Sequence, residues 1–239
     1  MKKILMILLM GSMIMSPAMG QAQGIEDGQS MWSIYGGLGT ALKKSGLEMD
    51  GKNLSWGNLG GEVGLSYLYF PSEYFGIGAD LRYAGFKGSG STEPAYWSWY
   101  WDSFDKDLEM NTLQLMASGR INVNPGSRVR VYVPFGAGLV LSEGGMRYTL
   151  SRVYYSYYDH TYYEETHTSY DGAHDHSFGW YAGLGLEFDA GERTAWGLEA
   201  RYNSFRHDYG SWAEEVGGHI TGNDTKRNYI SFVLKLSFK

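Results

Sequence analysis

The sequence predicts an all-β fold, an eight-stranded antiparallel up-and-down transmembrane β-barrel with short turns at one rim and long loops at the other. Three observations predict it: segments in which large apolar residues alternate with polar or small ones, charges of both signs on the polar side of those segments, and connections that are alternately short and long. Successive side chains of a strand point to opposite faces, so the alternation describes strands with one apolar face.

The composition excludes several classes of site. The 239 residues contain no cysteine, so the chain forms no disulfide and no thiolate-ligated metal site. The net charge of −6 gives no reason to expect nucleic acid as a partner. No residue pattern calls for a cofactor, and we expect none.

The N-terminal residues predict an export signal. Lys2 and Lys3 precede an apolar run over residues 4–15, and small residues follow it. The run is too short to span a bilayer as a helix. We therefore expect residues 1–22 to be a signal peptide, cleaved after Gly20 or Ala22, and residues 23–239 to form the barrel domain.

Eight segments carry the strand pattern. The last is the clearest, because every second residue from Ile230 to Phe238 is large and apolar. Aromatic residues lie toward the ends of several segments, as expected for belts at the two lipid–water boundaries. The segments are 32–42, 59–70, 74–86, 112–123, 128–141, 177–190, 194–205 and 228–239.

The polar side of these segments carries charges that are nearly balanced in sign. Charges that face water need no such balance, whereas an unpaired enclosed ion costs several kcal/mol, roughly. The pattern therefore predicts that the polar side lines a closed lumen and the apolar side faces lipid. The predicted lumen charge network is Glu62, Asp80, Arg82, Arg120, Arg130, Glu187, Glu199, Arg201 and Lys235.

The connections support the same arrangement. Three are short turns with the expected proline or glycine, at residues 71–73, 124–127 and 191–193. Four are long, at about residues 43–58, 86–111, 142–176 and 206–227. Short turns at one rim and long loops at the other are typical of outer-membrane barrels. Both chain ends lie on the short-turn side, which we therefore expect to face the periplasm.

The alternative fold is an exported soluble β-sandwich, which explains the signal and the strands but neither the enclosed charges nor the alternating connections. The eight segments, the three short turns and the ending "ISFVLKLSFK" resemble the small eight-stranded outer-membrane barrels of Gram-negative bacteria, the OmpA-type and opacity-type superfamily. The resemblance implies outer-membrane lipid and lipopolysaccharide as surroundings. It also implies a barrel-assembly machinery that reads a C-terminal aromatic residue, here Phe238, although Lys239 follows it.

Three functional hypotheses follow. The lumen charges form either a stabilising network or an ion path, and an eight-stranded barrel is just wide enough for side chains to fill it. The third long loop predicts a projecting hairpin, because tyrosine and threonine favour strands and tyrosine offers contact area at low entropic cost. This hairpin is either a surface for an extracellular protein or glycan, or a solvated loop stiffened by aromatic residues. Its candidate binding residues are Tyr154, Tyr155, Tyr157, Tyr158, Tyr162 and Tyr163.

Two further sites are weaker. His174 and His176 lie on the same side of a strand, but no established metal-ligand spacing is present, and we assign no metal site. A lipid A-modifying enzyme is the third hypothesis. Barrel deacylases carry a His-x-Ser-Asn pattern, yet "GGHITGND" at residues 217–224 lacks the serine. The sequence therefore predicts a monomeric, non-enzymatic protein with a structural or adhesin-like surface role, and a small pore is the main alternative.

Overall fold

The structure is a computed structural model that describes residues 24–42, 47–49, 52–53, 59–97, 100–156, 161–207, 219–220 and 226–239. The proposed signal peptide, residues 1–22, lies outside these residues. No helix in the described part of the chain is long and apolar enough to cross a membrane.

The described strands are β1 (Gln29–Ala41), β2 (Leu47–Met49), β3 (Lys52–Asn53), β4 (Leu59–Ser72), β5 (Phe75–Trp97), β6 (Tyr100–Asn122), β7 (Val129–Ser156), β8 (Thr161–Asp189), β9 (Thr194–Arg206), β10 (His219–Ile220) and β11 (Lys226–Phe238). Eight long strands close into one antiparallel barrel in the order β1-β11-β9-β8-β7-β6-β5-β4. Three short strands form a separate small sheet in the order β10-β2-β3.

The predicted fold class is confirmed. The first and last strands of the barrel pair in register from Trp32 with Phe238 to Ala41 with Tyr229, so the sheet has no open seam there. Closure removes the free sheet edges that lipid cannot satisfy by hydrogen bonding. β7 and β8 are single long strands that continue into the third long loop, so this loop adds no further strands to the eight of the barrel.

The expectation of a long loop over residues 86–111 is wrong. β5 continues to Trp97 and β6 begins at Tyr100, and the two strands remain paired up to these residues. The strand pattern disappears from the sequence there, since a strand must alternate apolar and polar residues only where one of its faces is apolar. The ladder of backbone hydrogen bonds continues without that pattern.

The two faces of the barrel wall differ as the alternation predicts. Apolar side chains such as Leu184 and Phe232 point outward and are 64% and 65% exposed in the isolated chain. The charged side chains between them, such as Arg130, point inward and are buried. The orientation is therefore that of a lipid-facing wall around a polar interior.

The three turns predicted from the sequence all lie at one end, which we call the short-turn end; the opposite end, where β5 to β8 project, is the raised end. Only residues 73–74 separate β4 from β5, and residues 190–193 separate β8 from β9. At the raised end, β2, β3 and β10 show that the first and fourth long connections contain strand too, since His219 pairs with Glu48.

Candidate functional site

The nine predicted lumen charges all lie inside the barrel, and all are buried. They come from seven strands of the wall and fall into a central cluster around Glu199 and Asp80 and a second cluster around Glu187 at the short-turn end. Every one of the nine carries an ion pair within 4.0 Å. The burial of so many charges is tolerable only because they neutralise one another.

Glu199 is the anion on which the central cluster converges. It forms an ion pair with Arg201, and Lys235 Nζ lies 3.2 Å from its Oε1. Tyr132 Oη donates a hydrogen bond of 2.7 Å to the same oxygen. The carboxylate thus faces two cations and one neutral donor, which together compensate for its burial.

Asp80 is the second anion of the central cluster. Tyr35 Oη donates a short hydrogen bond to it, and Tyr181 Oη donates another at 3.2 Å. Arg201 Nη1 and Arg82 Nη2 lie 3.6 and 3.5 Å from its Oδ2. Arg201 therefore bridges Asp80 and Glu199 and joins the two anions into one network.

Arg82 connects the central cluster to the opposite wall and to the raised end. Its Nη1 donates to Asn203 Oδ1 at 2.5 Å, and its guanidinium lies 4.5 Å from the centre of the Tyr181 ring. Glu62 is its more distant ion-pair partner, at 4.0 Å. Stacking on tyrosine helps to hold the planar cation in place between Asp80 and Glu62.

The cluster at the short-turn end is built on Glu187. Arg120 donates to both of its carboxylate oxygens, at 2.7 and 3.0 Å, in the fork geometry that suits arginine. Arg130 donates to Glu187 Oε1 at 2.8 Å and, through Nη1, to Asp189 Oδ2 at 2.6 Å. Arg120 also stacks on the Tyr132 ring at 3.7 Å, which links the two clusters.

Asp189 and Lys239 are members of this cluster that the sequence analysis missed. Lys239 Nζ lies 2.7 Å from Asp189 Oδ1, and its backbone N–H donates to Arg193 O at 2.9 Å. Burial lowers the pKa of the Lys239 ammonium, and the hydrogen bond to Asp189 opposes that shift. The residue after Phe238 therefore ties the end of the chain to the barrel rim, a role that alternation within strands does not reveal.

Tyrosine rings fill the lumen by lying over glycines on the neighbouring strand. Tyr35 pairs directly with Gly64, and Tyr132 pairs with Gly185. A methyl group added at either glycine would meet the ring at 2.4 or 2.3 Å. These cross-strand pairs explain why glycine is frequent on the inner face, because a large ring in a narrow barrel needs an opposite position without a side chain.

Apolar side chains fill the lumen near both ends of the barrel. At the short-turn end, Ile25, Met31, Leu68 and Phe70 form a buried cluster. Toward the raised end, the interior contains the buried side chains of Phe86, Met110, Val140, Phe205 and Tyr229. Phe86 packs edge-on against Tyr229 with ring centres 4.8 Å apart. The same end also contains the buried polar side chains of Ser142, His207 and Arg227, so apolar and polar groups together fill the interior there.

The sequence belongs to a known family. The family described as outer membrane protein beta-barrel domain matches residues 6–238. The chain is a member of the outer membrane protein beta-barrel domain family. It is accordingly an outer-membrane protein of the Gram-negative type. No curated protein matches the sequence.

Solved structures of outer-membrane barrels are similar in fold. The attachment invasion locus protein Ail of Yersinia pestis, solved with the heparin analogue sucrose octasulfate, is 15% identical, with 88% of this chain and 98% of that chain covered and a TM-score of 0.37. OprG from Pseudomonas aeruginosa is 14% identical, with 91% and 98% covered and a TM-score of 0.43. Neisserial surface protein A is 10% identical, with 88% and 96% covered and a TM-score of 0.39. These similarities concern the fold alone.

The candidate binding tyrosines of this family member lie on the projecting hairpin of β7 and β8. Tyr154 pairs with Tyr163, and Tyr155 pairs with Tyr162, so the backbone brings these four positions together. Tyr157 and Tyr158 lie outside the described residues.

Phe238, the candidate assembly signal, is the last residue of β11. It is 43% exposed on the outer wall, where it pairs with Trp32.

His174 and His176 of the same hairpin are the histidines for which the sequence analysis considered a metal site and assigned none. His174 and His176 are exposed on the outer wall. Among the residues that the structure describes, no group of three or more histidine and carboxylate side chains is placed to hold a metal ion.

Proposed function

We propose that this protein is a non-enzymatic, monomeric outer-membrane barrel that holds a raised β-sheet outside the cell as a binding surface for an extracellular protein. The observation that carries the proposal is the unequal height of the barrel wall. β5 to β8 stay paired with one another far beyond the point at which their outer neighbours end. We call the paired part of β5 to β8 above the Lys87–Glu109 pair the raised sheet.

The register defines how far the raised sheet extends. β4 pairs with β5 only up to Leu59 with Lys87, and β9 pairs with β8 only up to Ser204 with Trp180. Residues 88–97 of β5 nevertheless remain paired with β6, apart from one irregularity. Ten residues of strand span about 33 Å at roughly 3.3 Å per residue, enough to carry the sheet well above a headgroup layer.

The two edges of the raised sheet differ. The β5 edge contains Pro94 and a register shift between Thr92 and Ala95, both of which obstruct the addition of another strand. The β8 edge, residues 161–179, contains no proline, and within the described part of the chain no strand pairs with it. An extended segment of a partner protein can add to such an edge through backbone hydrogen bonds. The β8 edge is therefore the expected docking side.

The interior supports a scaffold role rather than an ion path. Its charges are paired with one another, its tyrosine rings lie over glycines, and buried apolar side chains help to fill the lumen near both ends. A conducting path would require polar groups that face an open channel. The lumen network is better suited to hold the wall rigid, so that the raised sheet loses little conformational entropy when it binds a partner.

Shortening one hairpin at a time tests the proposal. Thr149 and Thr168 are cross-strand partners, so replacing residues 150–167 with Asn-Gly closes the β7–β8 hairpin without changing its register. Gly90 and Lys106 are partners too, so replacing residues 91–105 in the same way shortens the β5–β6 hairpin and serves as the matched control. Cells that display each protein are applied to immobilised serum and extracellular-matrix proteins and to a glycan array.

We expect the wild-type protein and the β5–β6 variant to capture a protein ligand, and the β7–β8 variant to lose at least tenfold in binding. Heat-modifiable mobility on gels verifies that each variant forms a barrel. Full binding by the β7–β8 variant would refute the proposal. Two results with wild-type cells would also refute it: capture of glycans alone, or capture no greater than that by cells that lack the protein.

A further inference from the structure

The inner face of the raised sheet is mainly apolar. Met110 of β6 is buried in the lumen, and every second position above it belongs to the same face, because successive residues of a strand alternate between faces. The register assigns the inner positions of β7 and β8 in the same way. Most inner positions of β6 and β7 hold apolar or aromatic residues, among them Leu108, Phe104, Tyr100, Met146, Leu150 and Tyr154.

The outer face of the same strands is mainly polar. Its positions include Asp107, Asp105, Ser103, Arg147, Thr149 and Ser151, and apolar or aromatic residues return only at the tip. The polarity is therefore the reverse of that in the membrane-spanning wall, where the apolar side faces outward. A strand that extends this sheet at the β8 edge matches it by alternating apolar residues on the inner face with polar residues on the outer face.

The charge of the raised sheet is negative. The four strand segments contain seven acidic and three basic residues; they are residues 88–97, 100–108, 146–156 and 161–171. On the β8 edge, residues 161–179 include no lysine or arginine. The acidic residues of this edge within the raised sheet are Glu164, Glu165 and Asp171. A partner that docks along β8 thus meets an acidic strand, which favours a basic segment.

The register separates the three acidic positions of the β8 edge. Arg152 lies opposite Glu165, so the sheet itself provides a basic cross-strand neighbour there. Val153 lies opposite Glu164, and Met146 lies opposite Asp171. Cross-strand pairs of opposite charge stabilise a sheet. An added strand therefore gains most from lysine or arginine at the two positions that face Glu164 and Asp171.

We propose that the partner segment that adds to the β8 edge is a basic extended strand, with lysine or arginine seven residues apart opposite Asp171 and Glu164. The positions between them alternate, with apolar residues on the inner face. This inference rests on the proposed function and specifies the chemistry of its partner. A polyanion such as a sulfated glycan is repelled by the same edge.

The test uses a synthetic peptide and the full mature chain refolded in non-ionic detergent. The probe is fluorescently labelled Lys-Thr-Val-Thr-Val-Thr-Val-Lys-Tyr with both ends blocked; paired antiparallel to β8, its lysines face Asp171 and Glu164. The control peptide has proline in place of the central valine, which keeps the charge but removes a backbone donor. Binding is measured by fluorescence anisotropy at pH 7.5 in 150 mM salt.

Two protein variants with equal changes in charge locate the binding. The edge variant is Glu164→Lys with Asp171→Lys. The matched control is Glu93→Lys with Asp105→Lys, on β5 and β6. β6 lies two strands from β8, about 10 Å, and charges farther apart than about 8 Å are largely screened at this ionic strength. Heat-modifiable mobility on gels verifies that each variant forms a barrel.

We expect the peptide to bind the wild-type protein and the control variant alike, and the edge variant at least about tenfold more weakly, because two attractive cross-strand pairs become repulsive. The proline peptide is expected not to bind. Four results would overturn the inference: no binding of the peptide by the wild type, equal binding by all three proteins, equal losses in the two variants, or undiminished binding of the proline peptide.

Capture of a protein ligand by cells separates this inference from the proposed function. The edge variant is expected to lose the ligand that the β7–β8 hairpin variant loses. If the hairpin variant loses the ligand and the edge variant keeps it, the raised sheet is a binding surface but its partner is not a basic strand at the β8 edge. If the hairpin variant keeps the ligand, the proposed function itself fails.

Discussion

Replacing Glu199 with glutamine is expected to lower the free energy of unfolding by about 3–5 kcal/mol, the cost of removing one partner of a buried ion pair. Arg201 and Lys235 both depend on this carboxylate, and neither is exposed to water that would compensate them. Glutamine preserves the shape and still accepts from Tyr132, so the loss reports on charge and not on a cavity. The measurement is urea unfolding of the refolded barrel in detergent micelles, followed by tryptophan fluorescence.

Glu109→Gln is the matched control for this substitution. Glu109 also forms an ion pair, with Lys87 at 2.9 Å; its own side chain is 14% exposed, but that of Lys87 is 77% exposed. Water solvates Lys87 once the carboxylate is removed, so the expected loss is about 0–1 kcal/mol and this variant should unfold close to the wild type. Equal losses in the two variants would show that Glu199 is hydrated and that the interior is not the paired network described here.

Replacing Leu184 with arginine is expected to destabilise the barrel by about 2–4 kcal/mol, the cost of a cation on a barrel's lipid face near the bilayer midplane. Leu184 is 64% exposed and lies on the outward face of β8 about midway between Phe178 and Phe188. In a water-soluble protein the same substitution at so exposed a position would be nearly neutral. The measurement is reversible unfolding in lipid vesicles.

Val123→Arg provides the depth control. Val123 is 62% exposed but lies just past the end of β6 at the short-turn end, where arginine reaches the interface. The expected cost there is about 0–1 kcal/mol. Equal costs at the two positions would mean that the outward wall is not embedded at the depth assigned to it.

The sequence was sufficient to predict the barrel wall because lipid and lumen impose opposite requirements on neighbouring residues. Every membrane-embedded segment must then alternate, and positions such as Glu187 and Leu186 could be assigned to opposite faces from their spacing alone. The same principle explains the failure over residues 86–111. The strands continue there without the alternation that opposite requirements on the two faces would impose, so no periodic signal reveals them.

The sequence did not predict how the interior is connected. Tyr35 and Tyr181 lie on the inner face by their parity, but their hydrogen bonds to Asp80 depend on the relative stagger of strands distant in sequence. The same is true of the Asp189–Lys239 pair, which joins the end of β8 to the last residue of the chain. Local spacing fixes the face of a residue, and only the register around the closed sheet fixes its partner.

The orientation of the wall can be measured directly, because the chain contains no cysteine and single cysteines can be placed at will. Nitroxide labels at positions 231 to 236 of β11, in lipid vesicles, report accessibility to oxygen and to a water-soluble nickel chelate. The account predicts high oxygen accessibility at Phe232, Leu234 and Leu236 and low accessibility to both reagents at Ser231, Val233 and Lys235. Nickel accessibility at Ser231, Val233 and Lys235, with occlusion of the apolar positions, would contradict it.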